Sequence, residues 1–319
     1  MSSNAQSSSK LPSVAVIIVN YKAAHLVAAN LPALLAELEA FEAGEVMIVD
    51  NASPGDDRQV LTGAVAPHDN VRLINAEKNG GFAYGNNVGL SEIGPSDLVF
   101  FLNPDARPRP GALAQLATTV LDDPKNGIVG PLLVNEAGEE RPSAFGRKNL
   151  VREFFGAACI DPKRFGLDGE RALPVHRNEV IEAPWISGAA MMTRREVIDQ
   201  VGGMDEGYFL YFEETDWIES IANAGYRVLC DTHAVIEHIE GQSTGVVDSK
   251  TENLGMPTYW YESWRRFWTK NRSRTKAVVA AFTVTFGLIV RNVRWGKRSR
   301  GPKVGDFAKH CLWPILKGA

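Results

Sequence analysis

Short apolar runs alternate with amphipathic stretches in the N-terminal part of the chain. Residues 13–21 are an unbroken apolar, β-branched run, as expected of a strand that is buried on both faces. Apolar side chains then repeat at helical spacing from Leu31 to Phe41, and Gly44 ends that helix. Further strands are predicted at 45–50, 71–75 and 98–102. This rhythm predicts an open, mostly parallel, twisted α/β sheet that is flanked by helices.

The pattern is less regular further along the chain. It predicts a helix over 111–121 and a strand over 128–134, whereas residues 135–178 show no periodicity and predict a variable loop region. Order returns with a predicted strand at 185–192 and with helices at 194–201 and 213–225. Residues 1–12 are Ser-rich and predict a disordered tail.

Polar residues follow each predicted strand, at Asn20, Asp50, Asn75 and Asn103. In open α/β sheets, ligands bind outside the carboxyl ends of the strands. Asp105 comes directly after the fourth strand, where a single carboxylate can hold one divalent cation that bridges a substrate diphosphate. The alternative is an Asn-Pro-Asp turn without a ligand.

Two further segments are candidates for chemistry. The stretch 79–87 (NGGFAYGNN) combines glycines, which let a ligand approach the backbone, with asparagine donors and acceptors. It lacks the spacing of a dinucleotide fingerprint or a P-loop. Residues 213–216 place three carboxylates at a helix start, where the helix field is expected to keep a general base ionised. His238 is a candidate metal or phosphate ligand, and its alternative is a structural histidine.

Charge and cysteine content narrow the class of protein. The chain has 319 residues and a net charge of −4, which argues against general nucleic-acid binding. Residues 265–317 are strongly basic, with Asp306 as their single carboxylate, so we expect a local anionic partner such as lipid headgroups. Three cysteines at unrelated spacing predict no disulfide framework and favour a reducing cytosol.

Taken together and in their order along the chain, these motifs resemble glycosyltransferase family 2, and within it the bacterial rhamnosyltransferase-like branch. The resemblance covers residues 13–245 and implies a GT-A catalytic domain, a nucleotide-sugar donor and an inverting mechanism. The matching segments are VIIVNY (16–21), VDNAS (49–53), NGGFAYGNN (79–87), FLNPDA (101–106), WISGAAMMTRR (185–195), GGMDEGYFLYFEETDW (202–217) and HIEGQS (238–243).

The resemblance also implies roles for individual residues. Asp105 and His238 are expected to hold Mg²⁺ or Mn²⁺, although Asn103 stands where the family motif has its first Asp. Glu214 stands where the family usually has the catalytic Asp, so the base is Glu214, Glu213 or Asp216. The residues expected to bind the nucleotide sugar are Asn20, Tyr21, Asp50, Asn51, Asn79, Gly80, Gly81, Phe82, Asn86, Asn103, Ser187 and Gly188.

The segment 246–319 is predicted to be a helical, basic and aromatic region that associates with a membrane. Its apolar stretch Ala277–Val290 is too short to span a bilayer comfortably. Flanking Trp and Arg residues suit a helix in the membrane interface, and the alternative is a helix that packs on the catalytic domain. A lipid-linked glycan acceptor and a peripheral position on the cytoplasmic face of the bacterial inner membrane would follow from the first interpretation.

The sequence therefore predicts a metal-dependent, inverting glycosyltransferase that moves L-rhamnose from dTDP-rhamnose to a membrane-linked acceptor in surface polysaccharide or lipopolysaccharide synthesis. One alternative keeps the enzyme class and has a UDP-hexose donor. The other is a non-catalytic carbohydrate-binding scaffold, which is expected to have lost carboxylates that this chain retains.

Overall fold

The computed structural model describes residues 10–167, 172–239, 255–296 and 301–318. Most of the predicted tail, the boundary predicted at residue 245 and the motif residues 240–243 lie outside the described residues. Leu11 already pairs with the main chain, since it donates to the carbonyl of Ala40 and accepts from the amide of Glu42.

Twelve strands occur within the described residues, most of them short. Their bounds are β1 Val14–Asn20, β2 Gly44–Asp50, β3 Val71–Asn75, β4 Leu98–Leu102, β5 Ala106–Pro108, β6 Asn126–Val134, β7 Glu140–Arg141, β8 Ala144–Phe145, β9 Val180–Glu182, β10 Trp185–Ile186, β11 Ala190–Arg194 and β12 Arg227–His238.

The described residues also form eleven α-helices, with a short 3₁₀ helix at Pro162–Phe165 and a π-helical turn at Ala308–Leu312. The α-helices are α1 Ala24–Leu38, α2 Asp57–Val65, α3 Gly81–Glu92, α4 Ala112–Asp122, α5 Leu150–Ala158, α6 Arg195–Val201, α7 Glu213–Asn223, α8 Thr258–Asn271, α9 Arg274–Trp295, α10 Val304–Phe307 and α11 Trp313–Lys317.

The central sheet is mostly parallel, as the sequence predicts. Its strand order is β3-β2-β1-β4-β11-β6-β12-β5, and β7 and β9 pair at its periphery. The antiparallel strand β11 lies between β4 and β6, whereas β1 pairs parallel with both β2 and β4. In this register Asn20 lies opposite Asp50, and Asp50 opposite Asn75, so the polar strand ends share one edge of the sheet.

Helices cover both faces of the sheet, and the alternation of side chains along each strand sends apolar groups to each layer. Val16 and Ile18 of β1 belong to the core under α1, α2 and α4. Ile17, on the same strand, packs in the opposite layer, which includes Ala83 of α3 and Trp217 of α7. All seven residues of β1 are buried, which accounts for its unbroken apolar sequence.

Two predictions about the second half of the chain are wrong. The strand predicted over 185–192 is interrupted, because residues 187–189 separate β10 in a small second sheet from β11 in the main one. The loop predicted over 135–178 contains α5, whose N-cap is Asn149; its side chain accepts a hydrogen bond from the Arg152 amide at 2.9 Å. The helix has only nine residues and lies within a segment rich in Gly, Arg and Pro, so its own apolar pattern is easily missed.

The C-terminal helices pack against the rest of the protein through a third apolar cluster. Tyr261, Trp264 and Phe267 of α8 are buried in it, together with Tyr208 and Phe212 from the segment before α7. The aromatic and basic stretch that the sequence assigns to a membrane interface is thus largely interior in α8.

Helix α9 is longer than the sequence suggests. It has 22 residues, and among the described residues it is the helix long and apolar enough to cross a membrane by length and composition. The apolar run Ala277–Val290 is therefore the central part of a longer helix. One face of α9 packs closely on α5, because a Cβ on Gly287 would lie 2.9 Å from the Phe154 carbonyl oxygen.

Candidate active site

A cleft of about 590 Å³ opens at the polar edge of the sheet. Most of the residues predicted for the site line it, and they come from widely separated parts of the chain. From the predicted set these are Tyr21, Asn51, Asn79, Gly81, Phe82, Asn103, Asp105, Ser187, Gly188, Glu213, Glu214 and His238. The structure does not place Asn20, Asp50, Gly80, Asn86 or Asp216 in the lining.

Asn20 and Asp50 form a buried connection between the ends of β1 and β2. The Asn20 amide nitrogen donates to Asp50 Oδ1 at 2.9 Å and to Asp57 Oδ1 at 3.1 Å. Its amide oxygen accepts from the Ala23 main chain at 3.2 Å. Because Asn20 is fully buried and both its donor and its acceptor are engaged, its role is to orient the strand ends. Asn51, which follows Asp50 in the chain, lines the cleft instead.

The glycine-rich loop lies on one side of the cleft and is held by Asn51. Asn51 Nδ2 donates to Asn79 Oδ1 at 3.1 Å and to the Gly81 carbonyl at 3.0 Å. The Gly80 main-chain amide donates a hydrogen bond to Asn51 Oδ1 at 3.4 Å. Asn86 lies one turn into α3 and donates to the Phe82 carbonyl at 2.9 Å, which fixes the start of that helix.

Gly81 is the position where the backbone requires a glycine. Its φ is +89°, and a Cβ there would lie 1.8 Å from the Phe209 carbonyl oxygen. The neighbouring Phe82 amide donates to the same oxygen at 3.0 Å. The loop after β3 is thereby joined directly to the segment that precedes α7.

Asp105 and His238 meet because β5 pairs antiparallel with the end of β12, with Ala106 opposite His238. Asp105 Oδ1 lies 3.2 Å from His238 Nε2, and the Asp105 side chain is almost fully buried. Neither Asp105 Oδ1 nor His238 Nδ1 has an aligned hydrogen-bond partner. Buried polar atoms are rarely left unpaired, so this arrangement is suited to a ligand.

The donor set fits a hard divalent cation that takes most of its ligands from elsewhere. The described residues contain no cluster of three or more His, Cys, Asp or Glu side chains suited to a metal ion. Asp105 and His238 would supply two ligands, whereas Mg²⁺ or Mn²⁺ favours about six, several of them phosphate oxygens or waters. A protein cage is thus absent from the described part of the chain, and a diphosphate would have to complete the coordination.

Glu213 and Glu214 face the cleft from the first turn of α7. The two preceding residues, Tyr211 and Phe212, have φ values of +69° and +73°, a conformation that is costly for aromatic residues. Glu213 is buried, and its Oε2 has no hydrogen-bond partner. Gly188 lies beside Glu214, since a Cβ on Gly188 would be 3.1 Å from the Glu214 Cγ.

Burial shifts the pKa of both glutamates. Desolvation raises the pKa of Glu213 well above its usual range, and the charge of Glu214 raises it further. Desolvation also raises the pKa of Glu214, against the lowering effect of the Lys148 charge. Burial of these two glutamates therefore acts against the helix field, which favours their ionised form.

Asp216 has a different environment from the two glutamates. Its Oδ1 accepts hydrogen bonds from the Tyr208 hydroxyl at 3.1 Å and from the Asn271 side chain, and its Oδ2 contacts Lys270 Nζ at 2.7 Å. Both oxygens are engaged by groups outside the cleft. Asp216 therefore anchors α7 to α8, whereas Glu213 and Glu214 are the carboxylates that face the cleft.

Tyr259 is a cleft residue that the sequence analysis missed. It comes from α8, and its ring lies 5.3 Å from that of Phe209 and 6.2 Å from that of Tyr211. The three rings form an apolar wall beside the two glutamates. The signal in the sequence was the aromatic stretch 259–268, but its composition does not distinguish a membrane-facing helix from a buried one.

The fold is that of nucleotide-sugar transferases of the GT-A class. The structure is similar to the mannosyltransferase PcManGT of Pyrobaculum calidifontis, solved in complex with GDP-Man and Mn²⁺. The TM-score is 0.57 at 16% identity, and the match covers 89% of this chain and 74% of the other. The predicted GT-A fold is thereby confirmed.

Sequence comparison gives the family. The profile described as Glycosyl transferase family 2 matches residues 15–173. The chain is 30% identical over 212 residues to the N-acetylglucosaminyl-diphospho-decaprenol L-rhamnosyltransferase of Mycobacterium tuberculosis, covering 63% of this chain and 68% of that protein. It is 27% identical over 203 residues to the dTDP-rhamnosyl transferase RfbF of Shigella flexneri, covering 62% and 60%. This protein belongs to glycosyltransferase family 2, as its motifs predict.

The buried state of Glu213 predicts a pH-dependent gain in stability when its charge is removed. In the unfolded chain a glutamate loses its proton near pH 4.3, whereas folded Glu213 holds its proton to higher pH. Between those two pKa values the folded state binds more protons, so its stability falls as pH rises. We expect Glu213→Gln to raise the free energy of unfolding at pH 7 by about 1 kcal/mol or more.

Urea unfolding at pH 5, 6 and 7 measures this difference. The advantage of Glu213→Gln over the unsubstituted protein should grow across this range. The control is Glu42→Gln, a change of the same charge at an exposed position outside the helices, which should leave stability nearly unchanged. A glutamine variant that is less stable at every pH would show that Glu213 makes a favourable charged interaction in the fold.

Proposed function

We propose that this enzyme transfers L-rhamnose from dTDP-rhamnose to a lipid-linked glycan acceptor, with inversion at the anomeric carbon and with Mg²⁺ or Mn²⁺. The observation that carries the proposal is the meeting of Asp105 and His238 with Glu213 and Glu214 in one cleft. The names of the two rhamnosyltransferases that the chain resembles favour the rhamnosyl donor.

The metal-binding part of the proposal rests on Asp105 and His238. When bound there, the cation would neutralise the negative charge that develops on the departing nucleotide diphosphate. Asp105 would hold it with the carboxylate oxygen that lacks a hydrogen-bond partner. The Asn51–Gly81 connection would position the donor, because both residues line the cleft.

Glu214 is the residue we assign as general base. Its carboxylate would take the proton from an acceptor hydroxyl, whose oxygen then bonds to the anomeric carbon as the bond to the diphosphate oxygen breaks. The leaving diphosphate departs with the bonding electron pair, so a single displacement inverts the anomeric configuration and requires one base. Glu213 is more deeply buried than Glu214, and this burial raises its pKa well above the usual range, which makes it less suited to act as an ionised base.

The outer face of α9 supports a peripheral membrane location. Its exposed apolar side chains repeat at intervals of three and four residues and form one stripe, composed of Val279, Phe282, Phe286, Ile289 and Val293. Phe286 is 59% exposed and Val293 is 82% exposed. The exposed basic residues Arg274, Lys276 and Arg294 lie at the two ends of the helix. A stripe of this kind with basic flanks suits insertion between anionic headgroups.

This geometry favours a helix that lies in the interface over one that spans the membrane. The opposite face of α9 packs on α5 and α8, and its side chains Ala280, Val284 and Leu288 are buried. We place the protein on the cytoplasmic face of the bacterial inner membrane, where a nucleotide-sugar donor and a lipid-linked acceptor can both reach it. The three unpaired cysteines agree with a reducing compartment.

The donor assignment predicts selective stabilisation by one nucleotide. We expect dTDP with Mn²⁺ or Mg²⁺ to raise the melting temperature, since a ligand at 100 times its dissociation constant adds about 2.7 kcal/mol to folding stability. EDTA or the substitution Asp105→Asn should reduce the shift. The measurement is thermal unfolding with dTDP, UDP and GDP in parallel. A shift with UDP alone would indicate a UDP-sugar donor in place of dTDP-rhamnose. No shift with any nucleotide would favour the scaffold alternative.

The base assignment predicts a loss of turnover without a loss of donor binding. Removing a general base lowers rates by about 10²–10⁴, so we expect this fall in kcat for Glu214→Gln with dTDP binding unchanged. Because burial raises the pKa of Glu214, the acid limb of the rate profile should lie above the usual range of a glutamate. Rhamnosyl transfer across pH measures both effects, with exposed Glu196→Gln as the control. Full activity in Glu214→Gln would exclude it as the base.

The membrane assignment predicts that polar substitution on the stripe releases the protein from lipid. We expect Phe282→Ser combined with Phe286→Ser to reduce binding to vesicles that contain anionic phospholipid by at least tenfold. The two substitutions remove aromatic rings that would insert among the lipid chains. Co-sedimentation with vesicles measures this. Val180→Ser changes an exposed apolar residue on β9, far from α9 in sequence, and should have no effect. Equal losses in both variants would argue against α9 as the contact.

A further inference from the structure

A second cleft, of about 280 Å³, lies beside the first. Three cationic side chains line it, namely Arg147, Lys148 and Arg272, together with aromatic groups that include Trp185 and Phe267. Its carboxylates are Glu182 and Glu219, so the cations outnumber the acids. None of the residues assigned above to the donor, the cation or the base lines this cleft.

The two clefts share a thin wall. Along one chain segment, Pro184 and Trp185 line the second cleft, whereas residues 187–189 line the first. Along α7, Glu214 lines the first cleft and the next residue, Thr215, lines the second. The second cleft therefore begins one residue away from the acid that we assign as the general base.

Two of the cations are held in position. Lys148 Nζ lies 4.4 Å from the centre of the Phe212 ring and 5.0 Å from that of Trp185, so two aromatic faces stabilise its charge. Arg272 pairs with Glu219 at 2.9 Å and is largely buried. Arg147 is exposed at the mouth. Fixed cations beside an aromatic wall are the groups that recognise phosphate oxygens.

We infer that this second cleft receives the diphosphate group of a prenyl-diphosphate-linked sugar acceptor. The inference rests on the proposed function, because it assumes that the acceptor hydroxyl lies at Glu214. In an acceptor whose sugar is joined to lipid through a diphosphate, the anionic group lies one sugar ring from the reacting hydroxyl. Lys148 and Arg272 line the cleft that begins next to Glu214, which is the side on which such a diphosphate would lie.

Exposed apolar side chains follow the second cleft along the chain, and the lipid part of such an acceptor would require contacts of this kind. Helix α5 begins two residues after Lys148, and its first residues, Leu150 and Val151, are exposed. One turn later, Phe154 stacks on Phe286 of α9 with the ring centres 5.8 Å apart. The cationic cleft thus lies between the acids of the first cleft and the apolar stripe that we assign to the membrane.

The donor's diphosphate is the competing occupant of the second cleft, and a binding experiment separates the two. Geranyl diphosphate is titrated calorimetrically into the full-length protein that already holds saturating dTDP and Mg²⁺. We expect saturable binding, and we expect Arg147→Gln combined with Lys148→Gln to raise its dissociation constant at least tenfold. The dissociation constant of dTDP should change less than twofold in the same variant.

Matched controls exclude general charge effects and misfolding. Lys125→Gln combined with Arg164→Gln removes the same charge at exposed positions outside both clefts, and it should leave both affinities unchanged. Since Lys148 packs on two rings, the single variant Arg147→Gln serves if the double variant fails to fold, with an expected loss of at least threefold. A titration with inorganic pyrophosphate separates the contribution of the phosphates from that of the prenyl chain.

The outcomes distinguish this inference from the proposed function. No binding of geranyl diphosphate, equal losses in the control pair, or a weakening of dTDP by the Arg147 and Lys148 substitutions would each overturn the inference. Failure of dTDP to bind the unsubstituted protein would instead overturn the donor proposal. In that case geranyl diphosphate is titrated without nucleotide, and the tenfold effect of the double variant still decides the inference.

Discussion

One backbone contact joins the two walls of the cleft, and the arrangement of the site depends on it. The Phe82 amide donates to the Phe209 carbonyl at 3.0 Å, at a point where a side chain on Gly81 would collide with the same oxygen. The loop after β3 and the segment before α7 are distant in sequence, so this contact sets the distance between the donor side and the acid side. Phe209 also packs on Tyr259, so the residue that accepts this hydrogen bond is part of the aromatic wall of the cleft.

The acids at the start of α7 are maintained at a cost to stability. Glu213 is buried with an unpaired oxygen, and the two residues before it have left-handed backbone conformations. The compensation comes from the C-terminal helices. Lys270 and Asn271 of α8 bind Asp216, which lies in the first turn of α7 together with the two glutamates. The C-terminal segment therefore stabilises the site in addition to any role at a membrane. The catalytic region and the segment 246–319 are thus structurally connected.

The sequence predicts the features of this protein that depend on local pattern. Buried parallel strands are continuously apolar, as in β1, and their carboxyl ends converge by geometry, so the positions of Asn51 and Asp105 follow from the order of the strands. Features that depend on packing between distant segments could not be predicted. Tyr259 reaches the cleft only because α8 packs on residues 208–212, and the protonation of Glu213 depends on burial that no local pattern reports.

The composition of α9 illustrates why length and hydropathy alone do not define a membrane helix. A helix that crosses a bilayer alone is surrounded by lipid, whereas α9 has a second face whose small residues, including Gly287, allow close contact with α5. Arg291 is buried on that inner face, where it bonds to the Pro302 carbonyl. A helix with one face committed to protein in this way can present only its other face to lipid.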